Sequence, residues 1–316
     1  MDVRRLDLLR ELAERGSVHA VAAATHRTPS AVSQQLKLLE RESGLPLTER
    51  SGRGIVLTDA GRALAASAID VASAIARAHA TWDEYIGDPT GHVTVATFPT
   101  AGQTFVPPAV AALSRLPGLT VELTNRDADM TDFPSLTADY DIVIAYSLPG
   151  QRSWSGRGLR NIYLLSEPLD VVLPLGHRLA GKSELTPQDL VGEAWIGVPE
   201  QFAFDLLLHE LEAVTHSEIE VVQRVSDNLM TEALVAQGIG VAFAPRFTAS
   251  GPEKGIVTRP LTGVEAFRHV LMLLRPDKAE RLAVRTVADE IKRQAEALAA
   301  SHTPAEEPPL VGPRWL

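Results

Sequence analysis

Residues 25–40 read Thr25-His26-Arg27-Thr28-Pro29-Ser30-Ala31-Val32-Ser33-Gln34-Gln35-Leu36-Lys37-Leu38-Leu39-Glu40, and how this stretch folds sets the character of the whole N-terminal region. Thr28 suits a helix cap, accepting a hydrogen bond from an otherwise unpaired amide, and Pro29 suits the first helical position. Val32, Leu36 and Leu39 then recur at helical spacing and share one face. Ser30, Ser33, Gln34 and Lys37 take the opposite face. Short hydrogen-bonding side chains near a helix N-terminus suit phosphates and base edges in a DNA major groove. A shorter helical run, His19–Ala24, comes before the turn, and Leu6, Leu9 and Leu12 make an apolar stripe on a first, bracing helix.

Downstream, Gly44 stops the third helix and two apolar runs flank Arg50-Ser51-Gly52-Arg53-Gly54, the pattern of a small β-hairpin with arginines near its tip. Arginine there can reach a minor groove or the flanking phosphates. A lone surface arginine is usually only solvated. This pair sits on a glycine-rich turn directly after a candidate recognition helix, which favours DNA contact. The candidate DNA-binding residues are Thr28, Pro29, Ser30, Ser33, Gln34, Lys37, Arg50 and Arg53. In this reading Ser33 and Gln34 read bases, Pro29 and Ser30 position the helix, and Arg50 and Arg53 hold the backbone or minor groove.

These residues resemble the LysR-type transcriptional regulators. The matching positions are Ala22-Ala23, Thr28-Pro29-Ser30-Ala31-Val32-Ser33, Leu36, Leu39-Glu40, Gly44-Leu45-Pro46-Leu47, Glu49-Arg50, Arg53 and Leu57-Thr58-Asp59-Ala60-Gly61. Two positions depart from the family pattern: Thr48 follows Leu47 where an aromatic is usual, and Val18-His19 stands where an aromatic is common. The missing ring at position 48 predicts looser packing under the wing.

From Asp59 to Gly87 the residues predict one long helix. Leu64, Ala68, Val71, Ile75, Ala78, Trp82 and Tyr85 alternate at spacings of 4 and 3, the seam of a coiled coil. A helix packed on its own domain is the alternative. A seam this narrow between a head and a later domain favours pairing with a second copy, so Leu64, Ala68, Val71, Ile75, Ala78 and Trp82 are the candidate dimerisation residues. A dimer would read double-stranded DNA with dyad symmetry.

The chain of 316 residues carries a net charge of −10, unevenly placed. Residues 1–62 hold ten of the 30 basic and eight of the 40 acidic residues, which leaves twenty basic against thirty-two acidic for the rest. An almost neutral, arginine-tipped head on an acidic body fits an oriented DNA binder rather than a nonspecific one. With no cysteine, disulfides, thiolate metal sites and thiol redox switching are excluded. No apolar signal region and no membrane-spanning run is present, so a soluble cytoplasmic protein without membrane partners is expected.

Gly87-Asp88-Pro89-Thr90-Gly91 marks a boundary, after which short apolar runs alternate with helical stretches. Strands are expected at 92–98, 120–123, 140–146, 170–174, 194–198, 218–222, 241–244 and 268–274, and helices at 105–116, 204–214, 229–237 and 278–299. This alternation predicts an open α/β sheet. The resemblance implies a two-subdomain effector-binding domain similar to periplasmic binding proteins, with crossings near Ser166 and Val264. The expected fold is therefore α/β with an N-terminal winged helix-turn-helix (1–58), a linker helix (59–87) and an effector domain (92–300). The latter divides into about 92–165 with 265–300, and about 166–264. Residues 301–316 are proline-rich and expected to be disordered.

Ligands in open α/β sheets sit beyond the C-terminal strand ends, near helix N-termini. Segments 98–104, 197–202 and 225–230 occupy such ends, and Tyr146 closes another strand. Thr100, Gln103, Tyr146, Phe202, Asp227 and Asn228 are the candidate effector-binding residues, for an effector that could be anionic. Thr100 and Asp227 could equally be simple helix caps. That these segments share a cleft follows from the resemblance alone.

Enzyme motifs are missing: no Gly-x-Ser-x-Gly, no His-Glu-x-x-His, no phosphate loop. Gly238-Ile239-Gly240 has Phe243 where a dinucleotide fingerprint needs a small residue, and His209 lacks a second histidine at metal spacing, so no cofactor or metal is expected. The expectation is a transcriptional regulator of the LysR type that dimerises and answers a small-molecule effector. The resemblance suggests tetramers and admits RNA polymerase as a partner. A ligand-independent repressor, or a solute-binding or enzymatic module whose head serves assembly, are the alternatives.

Overall fold

The computed structural model describes residues 1–52, 54–87, 89–126, 133–150, 154, 158–200 and 202–302; Arg53 and residues 303–316 of the expected tail lie outside the described residues. The head opens with α1 (Val3–Arg15), α2 (Val18–Ala24) and α3 (Pro29–Ser43). Each begins on a side-chain cap: Asp2 accepts from the Arg4 amide, Ser17 from Ala20 and Thr28 from Ala31. Gly16 and Gly44 end α1 and α3 in the left-handed region. β1 (Thr48–Ser51) and β2 (Gly54–Leu57) pair antiparallel, with Arg50 opposite Ile55. Leu9, Leu12, Val21, Val32, Leu36, Leu39 and Leu47 fill one core.

Thr48 does not leave the wing loose, contrary to expectation. Its hydroxyl donates to Glu40 Oε1 at 2.9 Å, and the same oxygen accepts the amides of Leu47 (3.0 Å) and Thr48 (2.9 Å). A carboxylate holding three donors replaces the contact an aromatic ring would make.

The long helix α4 (Asp59–Ile86) starts on a Thr58 cap. Its expected seam divides in two. Ala68 is only 3 % exposed, and Leu64 and Val71 pack on the head core, so these three residues are covered within the chain. The reason is α1, which lies along the first half of α4. Ile75, Ala78, Trp82 and Tyr85 face outward, with Trp82 62 % exposed and stacked on Tyr85.

The effector half runs β3 (Gly91–Thr97), α5 (Pro99–Gln103), α6 (Val106–Leu113), β4 (Leu119–Asn125), α7 (Phe133–Leu136), β5 (Ile142–Ser147) and β6 (Arg160–Pro174). It continues through β7 (Ala194–Gly197), α8 (Asp205–Thr215), β8 (Glu220–Arg224), α9 (Asn228–Ala236), β9 (Ala242–Pro245) and β10 (Ile256–Arg259). β11 (Phe267–Leu274), α10 (Pro276–Ala279) and α11 (Leu282–His302) close it. The main sheet has the order β4-β3-β5-β11-β6-β10, with β9 also on β6. It is mixed: β3 is parallel to β4 and β5, whereas β11 is antiparallel to β5 and β6.

β6 is the long member. Residues 160–168 pair with β11; residues 169–172 then pair with β9 and 171–174 with β10. One strand thus serves two halves of the sheet, changing partners at Pro168/Leu169. Residues 160–169, which lie outside the expected strand at 170–174, are strand as well because β11 pairs antiparallel with 160–168 and β9 takes over at Leu169. α11 reaches His302, whose ring lies 4.3 Å from that of Phe247, so Ser301 and His302 are helical rather than part of a disordered tail. Gly240 lies so close to the Ala194 carbonyl that a Cβ would meet its oxygen at 2.7 Å, which accounts for glycine after α9.

Candidate DNA-binding face and effector cleft

On α3 the apolar face is buried while Ser30, Gln34 and Lys37 are exposed, with Pro29 and Ser33 half-covered beside them. Thr28 is exposed but serves as the cap, and its hydroxyl lies 3.1 Å from that of Ser30. Gln35, one residue from Gln34, turns the other way and accepts from Arg5 Nε of α1 at 3.0 Å. Arg50 is exposed on the hairpin strand β1. Helix face and wing therefore present hydroxyls, an amide, an ammonium and a guanidinium to solvent from one rigid core.

Thr100, Gln103, Tyr146, Phe202, Asp227 and Asn228 line a single cavity of about 160 Å³, joined by Phe98, Pro99, Val198, Phe204, Ser226, Leu229 and Arg268. The two roles weighed for Thr100 and Asp227 separate. Asp227 caps α9, its carboxylate accepting the Met230 amide at 2.8 Å. Thr100 lies inside α5, buried, and its hydroxyl oxygen accepts from Arg268 Nη2 at 2.6 Å.

Arg268 and its partner were not anticipated. Arg268 is 3 % exposed and Glu167 4 %, and they are cross-strand neighbours on β11 and β6. Glu167 Oε2 accepts from Arg268 Nε (2.9 Å) and Nη2 (2.5 Å), while Oε1 accepts the Phe247 amide at 3.0 Å. The guanidinium carbon sits 4.8, 5.2 and 5.7 Å from the rings of Phe98, Tyr146 and Phe204, a cation held against three aromatic faces. A charged residue opening an otherwise apolar strand was the available signal for Arg268. Glu167, 101 residues away, carried none.

The charges at the cleft are paired within the chain. Among the described residues lining the cavity, Arg268 is the only cation, and Glu167 already neutralises it. Asp227 adds a carboxylate at the α9 N-terminus, where an incoming anion would otherwise gain most.

Two family models cover almost the whole chain. Residues 3–62 match the bacterial regulatory helix-turn-helix protein, lysR family, and residues 87–296 match the LysR substrate binding domain. The chain belongs to the LysR family. Among its relatives, the transcriptional dual regulator GltC of Bacillus subtilis (strain 168) is 29 % identical over 252 residues, covering 78 % of this chain and 82 % of GltC. The Hca operon transcriptional activator HcaR of Escherichia coli (strain K12) is 24 % identical over 266 residues, covering 83 % and 88 %. A full-length OxyR variant from Pseudomonas aeruginosa shares the fold with a TM-score of 0.62 at 20 % identity, covering 92 % of this chain and 98 % of that one. Full-length CbnR in complex with its target DNA gives 0.52 at 22 %, covering 93 % and 100 %. This LysR-family chain is a DNA-binding transcriptional regulator that responds to a small molecule, built as a winged helix-turn-helix and a periplasmic-binding-protein-like domain. Among its described residues no helix is long and apolar enough to cross a membrane.

Proposed function

We propose that Ser33 and Gln34 read base edges in a major groove while Ser30, Lys37, Arg50 and Arg53 hold phosphates or the adjacent minor groove. The observation that carries this reading is the division of α3 into a buried leucine-valine face and an open polar face on a capped, rigid helix. Two such heads, joined through the outward part of α4 at Ile75, Ala78 and Trp82, would require a site with dyad symmetry. The chain then acts in the cytoplasm by binding rather than by catalysis. Capture of genomic DNA by the purified protein tests this. Gln34→Ala with Lys37→Ala should abolish enrichment of short dyad sites, and unchanged enrichment would sink the assignment.

The effector that fits the cleft has a compact apolar or aromatic body and no net negative charge. The volume is close to the roughly 150 Å³ of an apolar cavity that admits benzene. Gln103, Ser226 and Asn228 offer hydrogen bonds at its edge. A thermal-shift panel of single-ring compounds, with benzamide set against benzoate, checks the sign of charge. Preferential stabilisation by benzoate would contradict a neutral effector.

A further inference from the structure

The head is tied to its own effector domain by charges that neither DNA reading nor the cleft uses. β11 passes the cleft at Arg268 and ends at Leu274; the next residue, Arg275, is 3 % exposed. Its Nη1 donates to Glu11 (3.0 Å) and Glu14 (2.7 Å) of α1, and its Nε to Asp277 (3.2 Å). Arg10 of α1 returns the contact, donating Nη1 to Asp277 at 2.6 Å, with Asp7 2.5 Å from its other nitrogen. Arg15 donates to Glu11 and to both Asp139 and the Ala138 carbonyl of the effector domain, each at 2.7 Å.

α1 is held equally firmly on its other side. Arg5 bonds Gln35 and Glu42 of α3, the helix that carries the candidate base-reading residues. The orientation of that helix relative to the effector domain is therefore held through α1 as well as through the packing of α4 on α10, and α1 is seated by Arg275. A buried ion cluster adds little net stability but is costly to occupy with one member missing, so it enforces one geometry. β11 also joins the two ends: seven residues separate Arg268 at the cleft from Arg275 at the head, about 23 Å of extended strand.

We propose that Arg275 is a positioning residue for DNA binding. It locks the head in the orientation that lets two heads meet a dyad site, and β11 links that lock to the effector cleft. The proposal rests on the regulator reading of the head. Because the chain has no cysteine, Ala24→Cys on the head and Ala111→Cys on α6 give one spin-label pair per protomer, read within a protomer by mixing labelled protein into an excess of unlabelled full-length protein. The wild-type background should show one narrow distance distribution, and Arg275→Gln a broad one. Affinity for the captured dyad site should fall about tenfold in Arg275→Gln, within the range of ordinary couplings, while affinity for a single half-site stays unchanged. Glu14→Gln, a milder change on a partly exposed partner, should shift both readouts in the same direction. It also keeps the test open if Arg275→Gln does not fold. Combined with Arg275→Gln it should add nothing, because both act on one network. An unchanged distance distribution in both variants, or tighter dyad binding, would overturn the proposal. If the wild type captures no DNA, the regulator reading fails, and the distance distribution still decides whether Arg275 holds the head.

Discussion

Gly61 is the third residue of α4, where a Cβ would meet the Leu47 carbonyl oxygen at 2.1 Å and its carbon at 3.0 Å. No side chain fits unless the wing and the helix separate. Gly61→Ala should therefore destabilise the head by about 1–3 kcal/mol through overpacking, read as a lower thermal midpoint. Gly54→Ala is the control, since a Cβ there meets nothing closer than 3.7 Å. The buried Arg268–Glu167 pair makes a second residue-scale case. Arg268→Met leaves Glu167 buried without its cation and should cost roughly 3–5 kcal/mol in urea unfolding. Adding Glu167→Gln should recover most of that loss, and a double variant as unstable as the single would show that the cost lies in packing.

At the scale of elements, the head was legible because its signals are local. Thr28, Pro29 and Gly44 mark the ends of α3 within its own sequence, and the pattern between them sets its buried face. β6 was only partly legible, since residues 160–169 become strand through β11, about a hundred residues later. The Arg268–Glu167 pair was hidden for the same reason. The seam on α4 was legible as a stripe but not in its partners: sequence spacing cannot say whether a stripe meets α1 of the same chain or a second copy. That division gives a prediction. Ala68→Leu overfills a contact inside the chain and should lower the thermal midpoint with little effect on assembly. Ala78→Leu, on the outward half, should leave the midpoint of isolated protomers intact and change the mass measured by light scattering. Equal effects of both changes on mass would mean that the whole seam works between copies.

At the scale of the molecule, the junction between head and effector domain ties DNA geometry to acidity. Burial alone would raise the carboxyl of Glu11, but its hydrogen bond from Arg15 and the charges of Arg275 and Arg10 outweigh burial and hold it below its ordinary value. Asp277 follows the same logic, burial being outweighed by Arg275 and Arg10. Such groups bind fewer protons folded than unfolded, so the stability they add is present above an ordinary carboxylate pKa of about 4 and is lost as pH falls through their lowered folded values. Glu14 opposes them: burial pushes it up despite Arg275, so its contribution is full at low pH and fades as pH rises through its raised value. Two lowered groups against one raised group make acidification a net loss at this junction. Hydrogen exchange of the full chain, corrected for intrinsic rates, should show α1 amides as protected at about pH 5 as at pH 7. Below about pH 4 they should lose protection before the amides of Val143, Ile144 and Ala145, fully buried at the centre of β5. In Arg275→Gln the carboxylates lack the cation that lowers them, so α1 should be less protected at neutral pH and change less on acidification. Simultaneous loss across α1 and the centre of β5 would place the acid-sensitive step in global unfolding instead of at the junction.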